Sequence, residues 1–187
     1  MTQDKSPPVI TELLRSMAVC SGNFAILFGF IATLVTGNNI GAWFSVGIVG
    51  NTIVNKIIKM AAVELLPESV VRRPEVSRRG CRSFPQILEG TALEKERKRS
   101  LLHGMPSGHA QTAAFIATFW IMYVFATTRP GDVRRIVSII VFGTLAGGTI
   151  ISRTHIAENC HTPAQVLVGA VLGVGTGAWY FSQVSVI

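Results

Sequence analysis

The sequence predicts an all-α fold, a polytopic membrane helical bundle with about five transmembrane helices and a long polar loop between the second and third. Three observations predict it. Charged side chains make up only 14% of the 187 residues, where soluble domains carry roughly 25%. Apolar side chains make up 49%. The charge is also crowded: 10 of the 17 Lys and Arg lie between Lys59 and Arg99, and long stretches elsewhere carry none. That apolar content excludes a disordered chain, and the uncharged runs argue against a soluble domain. The net charge of +7 is therefore not the footprint of a nucleic-acid surface. A bilayer is the expected partner, and nucleic acid is not. The length suits one membrane-embedded domain over residues 1–187.

A membrane-crossing helix needs about 20 mostly apolar residues. Residues 17–36 supply the first run, without a charge. Residues 40–55 are uncharged too, and the helical pattern continues through Lys56 and Lys59 to about residue 63. Residues 110–128, 136–152 and 162–187 are the third, fourth and fifth runs. Backbone amides in lipid must be satisfied within their own segment, so these runs are expected as helices. No small-residue cleavage site clearly ends the first run, which reads as an uncleaved anchor. The expected location is integral and multi-pass, in an endoplasmic reticulum, plasma or inner membrane.

The connections are unequal. Residues 37–39 form a tight turn, and residues 129–135 open with an Arg-Pro-Gly turn. More than 40 residues, from about Glu64 to Met105, separate the second and third runs. Within them Thr91 and Glu94 have capping-box spacing for a short interfacial helix over residues 92–102. Five spans place the amino terminus, the long loop and residues 153–161 on one side, with 12 of the basic residues. Arginines that bind a ligand would distort the positive-inside rule, so sidedness is left open. Gly169, Gly173 and Gly177 form a small-residue face suited to close helix packing. Packing within the chain is preferred there over a homodimer interface.

The chemistry gathers at loop ends. All four histidines, His103, His109, His155 and His161, fall on the arginine-rich side. Polar groups at membrane depth are expensive and tend to be functional. In the stretch His103-Gly104-Met105-Pro106-Ser107-Gly108-His109-Ala110-Gln111, a loop punctuated by Pro and Gly runs into an apolar helix. A helix amino terminus offers free amides and a positive dipole end to an anion. Ser107 adds a hydroxyl, Gly108 allows backbone approach, and His109 titrates near neutrality. A second stretch joins the fourth span to the fifth: Ser152-Arg153, then His161-Thr162-Pro163-Ala164-Gln165. Arg153 carries a fork suited to phosphate oxygens. Gln165, four residues after His161, is within helical reach of its ring. A third is the polar stripe Asn51, Asn55 and Lys59, which leads toward Arg72-Arg73-Pro74. Lys56, off that stripe, reads as a snorkelling lysine.

These stretches resemble the type-2 phosphatidic acid phosphatase superfamily of membrane lipid phosphatases. Its motifs are Lys, six residues, Arg-Pro; Pro-Ser-Gly-His; and Ser-Arg, five residues, His, three residues, Asp. Pro106 to His109 matches the middle motif in full. Ser152, Arg153 and His161 match the third by type, with seven residues in the gap and Gln165 in place of Asp. In the first, Lys59 is followed by Arg73-Pro74 seven residues late, so Arg73 returns through a local insertion, or Arg72, Arg78, Arg79 or Arg82 substitutes. Met105 to Gln111, and His161-Thr162 with Gln165-Val166-Leu167, are most similar to the dolichyl-diphosphatase branch.

The resemblance implies metal-independent phosphoryl transfer from a lipid phosphate or diphosphate, polyprenyl or dolichyl diphosphate foremost, through a phosphohistidine. On that reading His161 is the nucleophile and His109 the acid and then the base. Gln165 orients His161. Lys59, Arg73, Ser107, Gly108 and Arg153 hold the phosphate oxygens. No cofactor or metal is implied, and Cys20, Cys81 and Cys160 lack paired spacing. A Cys81–Cys160 disulfide is left open. The alternatives are a phosphatidate or phosphatidylglycerophosphate phosphatase, or an inactive membrane protein that binds lipid phosphate.

Overall fold

The computed structural model describes residues 25–31, 33–35, 37–74, 102–156 and 161–184. Among them the chain forms α1 (Ala25–Val35), α2 (Ile40–Leu65), the single turn α3 (Glu68–Val71), α4 (Gly108–Thr127), α5 (Val133–Ile151) and α6 (Pro163–Val184). A π-helical turn, Ser152–Ile156, continues α5. Among the described residues, four helices are long and apolar enough to cross a membrane: α2, α4, α5 with its extension to Thr154, and α6. The all-α membrane bundle is thus the observed architecture. Of the first expected span, 17–36, most of the part from Ala25 onward is described, and there α1 is short. The helix expected over 92–102, with its capping box, lies outside the described residues apart from Leu102. So do Arg78, Arg79, Arg82 and all three cysteines.

Local chemistry sets the helix ends. Leu66 precedes Pro67 and is extended, with φ −111° and ψ 152°, because proline excludes the helical conformation from the residue before it. Helix α5 begins at Val133, three residues before the expected start at 136. The Asp132 side chain accepts from the Arg134 amide and caps the helix. The Arg135 guanidinium turns back to donate to the carbonyls of Phe125 and Thr128 at the end of α4. Two charges at this end are thus spent on helix termini, which apolarity alone does not foresee. Gly37 and Gly131 occupy left-handed positions in the two short turns, at φ +67° and +84°.

Helix α4 is the centre of the bundle, packed by α2, α5 and α6. Its neighbour α6 runs parallel to it along the glycine face. A Cβ on Gly169 would stand 2.4 Å from the Ser107 carbonyl oxygen, and one on Gly173 would stand 2.1 Å from that of Gln111. One on Gly177 would lie 3.1 Å from that of Phe115. The stripe therefore packs two helices of the same chain.

Polarity is inverted relative to a water-soluble bundle. Along α5 only Ser138 is buried, while Ile136, Val137, Ile139, Ile140, Val141 and Leu145 face outward. An apolar surface of that extent would aggregate in water and is solvated in lipid. Inside are Asn51, Asn55, Gln111 and Gln165, all buried. Aromatic packing fills the end opposite the polar loops: Phe44, Phe115, Phe119 and Phe181 pack with Ile48 and are flanked by Trp120 and Tyr180. Because the spans alternate in direction, the end of α2, the start of α4, the end of α5 and the start of α6 meet at one rim.

Candidate active site

The loops at that rim are tied together through backbone and amide groups. After α3 the chain reverses and Arg72 forms an antiparallel bridge with His103. The Arg73 amide donates to the Leu102 carbonyl at 2.9 Å, and the Gly104 amide to the Val71 carbonyl at 2.7 Å. The Arg73 side chain donates through Nε to the His103 carbonyl. The reversal through α3 takes up the extra residues between Lys59 and Arg73 and returns Arg73 to the rim. Arg72 is outside: it is exposed and pairs with Glu68 at 3.4 Å.

Ser107 is the N-cap residue of α4, yet its side chain makes no capping bond. The hydroxyl is fully buried and has no hydrogen-bond partner among the described residues. Its amide donates to the Gln165 carbonyl at 3.0 Å, which fastens the start of α4 to the start of α6. Gly108 and His109 follow in the first turn of α4, where the helix presents free amides.

His161 stands just before α6 and is 3% exposed. Its Nδ1 is buried without a partner among the described residues. Burial, and then the charges of Arg73, Lys59 and Arg153 with His109, push its pKa from 6.5 down to about 2. The cause is plain: a buried ring facing cations cannot readily take a proton. Arg73, itself lowered to about 10 by burial and then by Arg153, is still charged at neutral pH. Among the described residues, no carboxylate contributes to either shift. The structure thus brings Lys59 from α2, Arg73 from the returning loop, His109 from α4 and Arg153 from the π turn to bear on His161, with Ser107 and Gly108 beside them.

The bond expected between Gln165 and the His161 ring does not form. The Gln165 carboxamide donates instead to the carbonyls of Val70 at 2.9 Å and Arg72 at 3.0 Å, and accepts from the Thr162 amide at 3.3 Å. Those carbonyls flank the Arg73 loop and take both amide hydrogens, which turns Oε1 toward the Thr162 amide instead of the ring. Gln165 is a clasp on that loop. Gly104 permits the clasp, since a Cβ there would lie 2.3 Å from Gln165 Oε1 and 3.0 Å from Arg73 Cγ. Sequence reasoning also passed over Thr176, which donates to Asn51 Oδ1 at 3.0 Å. The stripe of Asn51 and Asn55 was the available signal for it. Among the described residues, no group of three His, Cys, Asp or Glu side chains is placed to hold a metal ion.

A cationic rim thus surrounds a buried imidazole at the meeting of four spans. A family model described as the PAP2 superfamily matches residues 40–186, most of the chain and every element of the rim. The chain belongs to the PAP2 superfamily. As a PAP2 protein it is an integral, multi-pass membrane protein, in agreement with its four apolar helices. Two relatives come from Arabidopsis thaliana. "Lipid phosphate phosphatase epsilon 1, chloroplastic" is 34% identical over 84 residues, covering 43% of this chain and 29% of the relative. "Lipid phosphate phosphatase epsilon 2, chloroplastic" is 32% identical over 100 residues, covering 51% and 34%. The chain thus matches only about a third of the length of either relative. No solved structure matches this PAP2 chain. Neither relative singles out the dolichyl-diphosphatase branch.

Proposed function

We propose that the chain is a lipid phosphatase that transfers the phosphoryl group of a membrane lipid phosphate or diphosphate to His161 and then to water. The observation that carries this reading is the convergence of Lys59, Arg73, Arg153 and His109 on a buried imidazole held neutral. A neutral ring nitrogen has the lone pair that attack on phosphorus requires. The cations supply what phosphoryl transfer chiefly needs, positioning and neutralisation of the non-bridging oxygens. The unspent Ser107 hydroxyl and the Gly108 amide complete the cradle.

In the first step a His161 nitrogen bonds to phosphorus and the bond from phosphorus to the leaving oxygen breaks. The electron pair goes to that oxygen, and His109 protonates it. His109 acts as an acid once the anionic phosphate has entered, because the substrate's charge offsets the surrounding cations and favours the imidazolium. In the second step His109 removes a proton from water, whose oxygen displaces His161 from phosphorus. Inorganic phosphate leaves, and both rings return to their starting states. Gln165 takes no part in the chemistry and holds the Arg73 loop.

Motif detail favours a polyprenyl diphosphate as substrate. A second reading, a lipid monophosphate such as phosphatidate, is supported by the names of the two relatives. Phosphate release from a panel of both lipid classes, in detergent with EDTA, tests the proposal. Turnover that persists in EDTA and vanishes in His161→Ala supports it, and the better substrate chooses between the readings. Absence of turnover on every lipid favours a binder of lipid phosphate and refutes the enzyme.

A further inference from the structure

Beneath the rim, inside the apolar bundle, lies a row of side chains that the proposed chemistry does not use. Asn55 Nδ2 donates to Gln111 Oε1 at 2.7 Å, and Gln111 Nε2 donates to Asn51 Oδ1 at 2.8 Å. Thr176 Oγ1 reaches the same Asn51 oxygen at 3.0 Å. All three amides are buried, Gln111 completely. The row joins α2, α4 and α6. Its upper end meets the site, since Asn55 Oδ1 lies where a Cβ on Gly108 would be only 3.1 Å away. Asn51, Asn55 and Lys59 recur every four residues on one face of α2, so whatever fixes Asn55 against α4 also fixes Lys59 against it.

Stability alone does not account for this row. Asn51 Nδ2 is buried with no partner among the described residues, and an orphaned donor in an apolar interior is unfavourable. Leucines of similar size would fill the space without that penalty. Packing of apolar side chains in lipid is weakly directional, however, and lets two helices slide. Hydrogen bonds of defined length between amides do not. We infer that the buried relay Thr176–Asn51–Gln111–Asn55 sets the register of α4 against α2, and thereby positions Gly108 and His109 relative to Lys59. These are positioning residues, and their catalytic effect rests on the function proposed above.

The test replaces the relay by apolar groups, Asn51→Leu/Asn55→Leu/Gln111→Leu, which leaves no amide orphaned. Thr176 keeps its bonds to the carbonyls of Leu172 and Gly173. Three readouts are taken on the full chain in nanodiscs: thermal unfolding, steady-state kinetics, and the distance between spin labels at Met60 on α2 and Ala126 on α4. The labels are placed in a background without native cysteines, and Gln111→Met is measured alongside in case the triple variant does not fold. The expected result is near-native thermal stability for the triple variant, a fall in kcat of about 10²-fold as for a 1 Å misplacement of catalytic groups, little change in KM, and a broadened or shifted Met60–Ala126 distance. A label distance as narrow and as centred as in the parent overturns the inference, whatever the kinetics. Absence of turnover in the parent itself would instead refute the proposed function, and the label distance would still decide on the relay.

Discussion

Substitution of Gly169 by alanine tests the geometry of the rim at the point where two backbones come closest. The added Cβ would stand 2.4 Å from the Ser107 carbonyl oxygen and 3.2 Å from both Ser107 C and Ser107 N. A carbon and a carbonyl oxygen sit comfortably at about 3.3 Å, so the contact is short by roughly 1 Å. Both partners are backbone, and no side chain can rotate away. Helices α4 and α6 must therefore part at the rim, carrying Ser107 and Gly108 away from His161 by about that distance. Overpacking of this kind costs about 1–3 kcal/mol in stability. A 1 Å displacement at reacting groups costs on the order of 10²-fold in rate. The natural control is Gly175→Ala on the same helix, where the added Cβ meets nothing within 4 Å. Thermal unfolding in detergent and phosphate release from a lipid phosphate would be measured on both variants. Gly169→Ala should lose most of its kcat while Gly175→Ala keeps it. Equal turnover in the two variants would refute the argument that this contact sets the cradle.

Three further outcomes follow from the same geometry. Gln165→Ala removes the bonds to Val70 and Arg72, loosens the Arg73 loop and should reduce kcat/KM, by less than His161→Ala does; equal losses in an activity assay would return Gln165 to the chemistry. Arg73→Gln should raise KM and lower kcat together, whereas Arg72→Gln, which removes only an exposed pair with Glu68, should leave both unchanged; matched effects in steady-state kinetics would mean that the wrong arginine has been placed at the site. The depressed pKa of His161 also has a sign in stability. Between 6.5 and about 2 the unfolded chain binds a proton at this position that the folded chain does not, so stability is lost as pH falls below 6.5. For one group the slope is about 1.4 kcal/mol per pH unit, and His161→Gln should flatten the thermal-unfolding profile between pH 6.5 and 4 by that amount.

The fold was largely legible in the sequence because the bilayer asks a simple question of each segment. The runs beginning near residues 40, 110, 136 and 162 answered it, and the observed helices differ from them by a few residues at each end. Those differences have local causes, such as Asp132 capping α5 and Arg135 closing the end of α4, which hydropathy does not register. The glycine face at Gly169, Gly173 and Gly177 was also readable, as was its packing within the chain, since small residues every four positions serve close backbone approach. Two matters were only partly readable. Arg73 was legible as one of several arginines that an insertion could return to the site, but choosing it over Arg72 depends on a backbone reversal after α3 and on the bridge between Arg72 and His103, both set by contacts distant in sequence. Likewise the spacing of Gln165 four residues after His161 suggested that its carbonyl accepts the ring N–H, but the bonds from its amide to the Val70 and Arg72 carbonyls turn the carboxamide so that its oxygen faces the Thr162 amide. Spacing along one helix could not reveal partners nearly a hundred residues away.

The claim on which the account depends is that phosphorus becomes bonded to His161. Rapid quenching of the enzyme with a lipid phosphate labelled in its phosphoryl group, followed by peptide mapping under alkaline conditions, tests it most directly. The account predicts an acid-labile label on the peptide carrying His161 in the parent enzyme, absent from His161→Ala. Turnover with no label on His161, or label that survives its replacement, would contradict it.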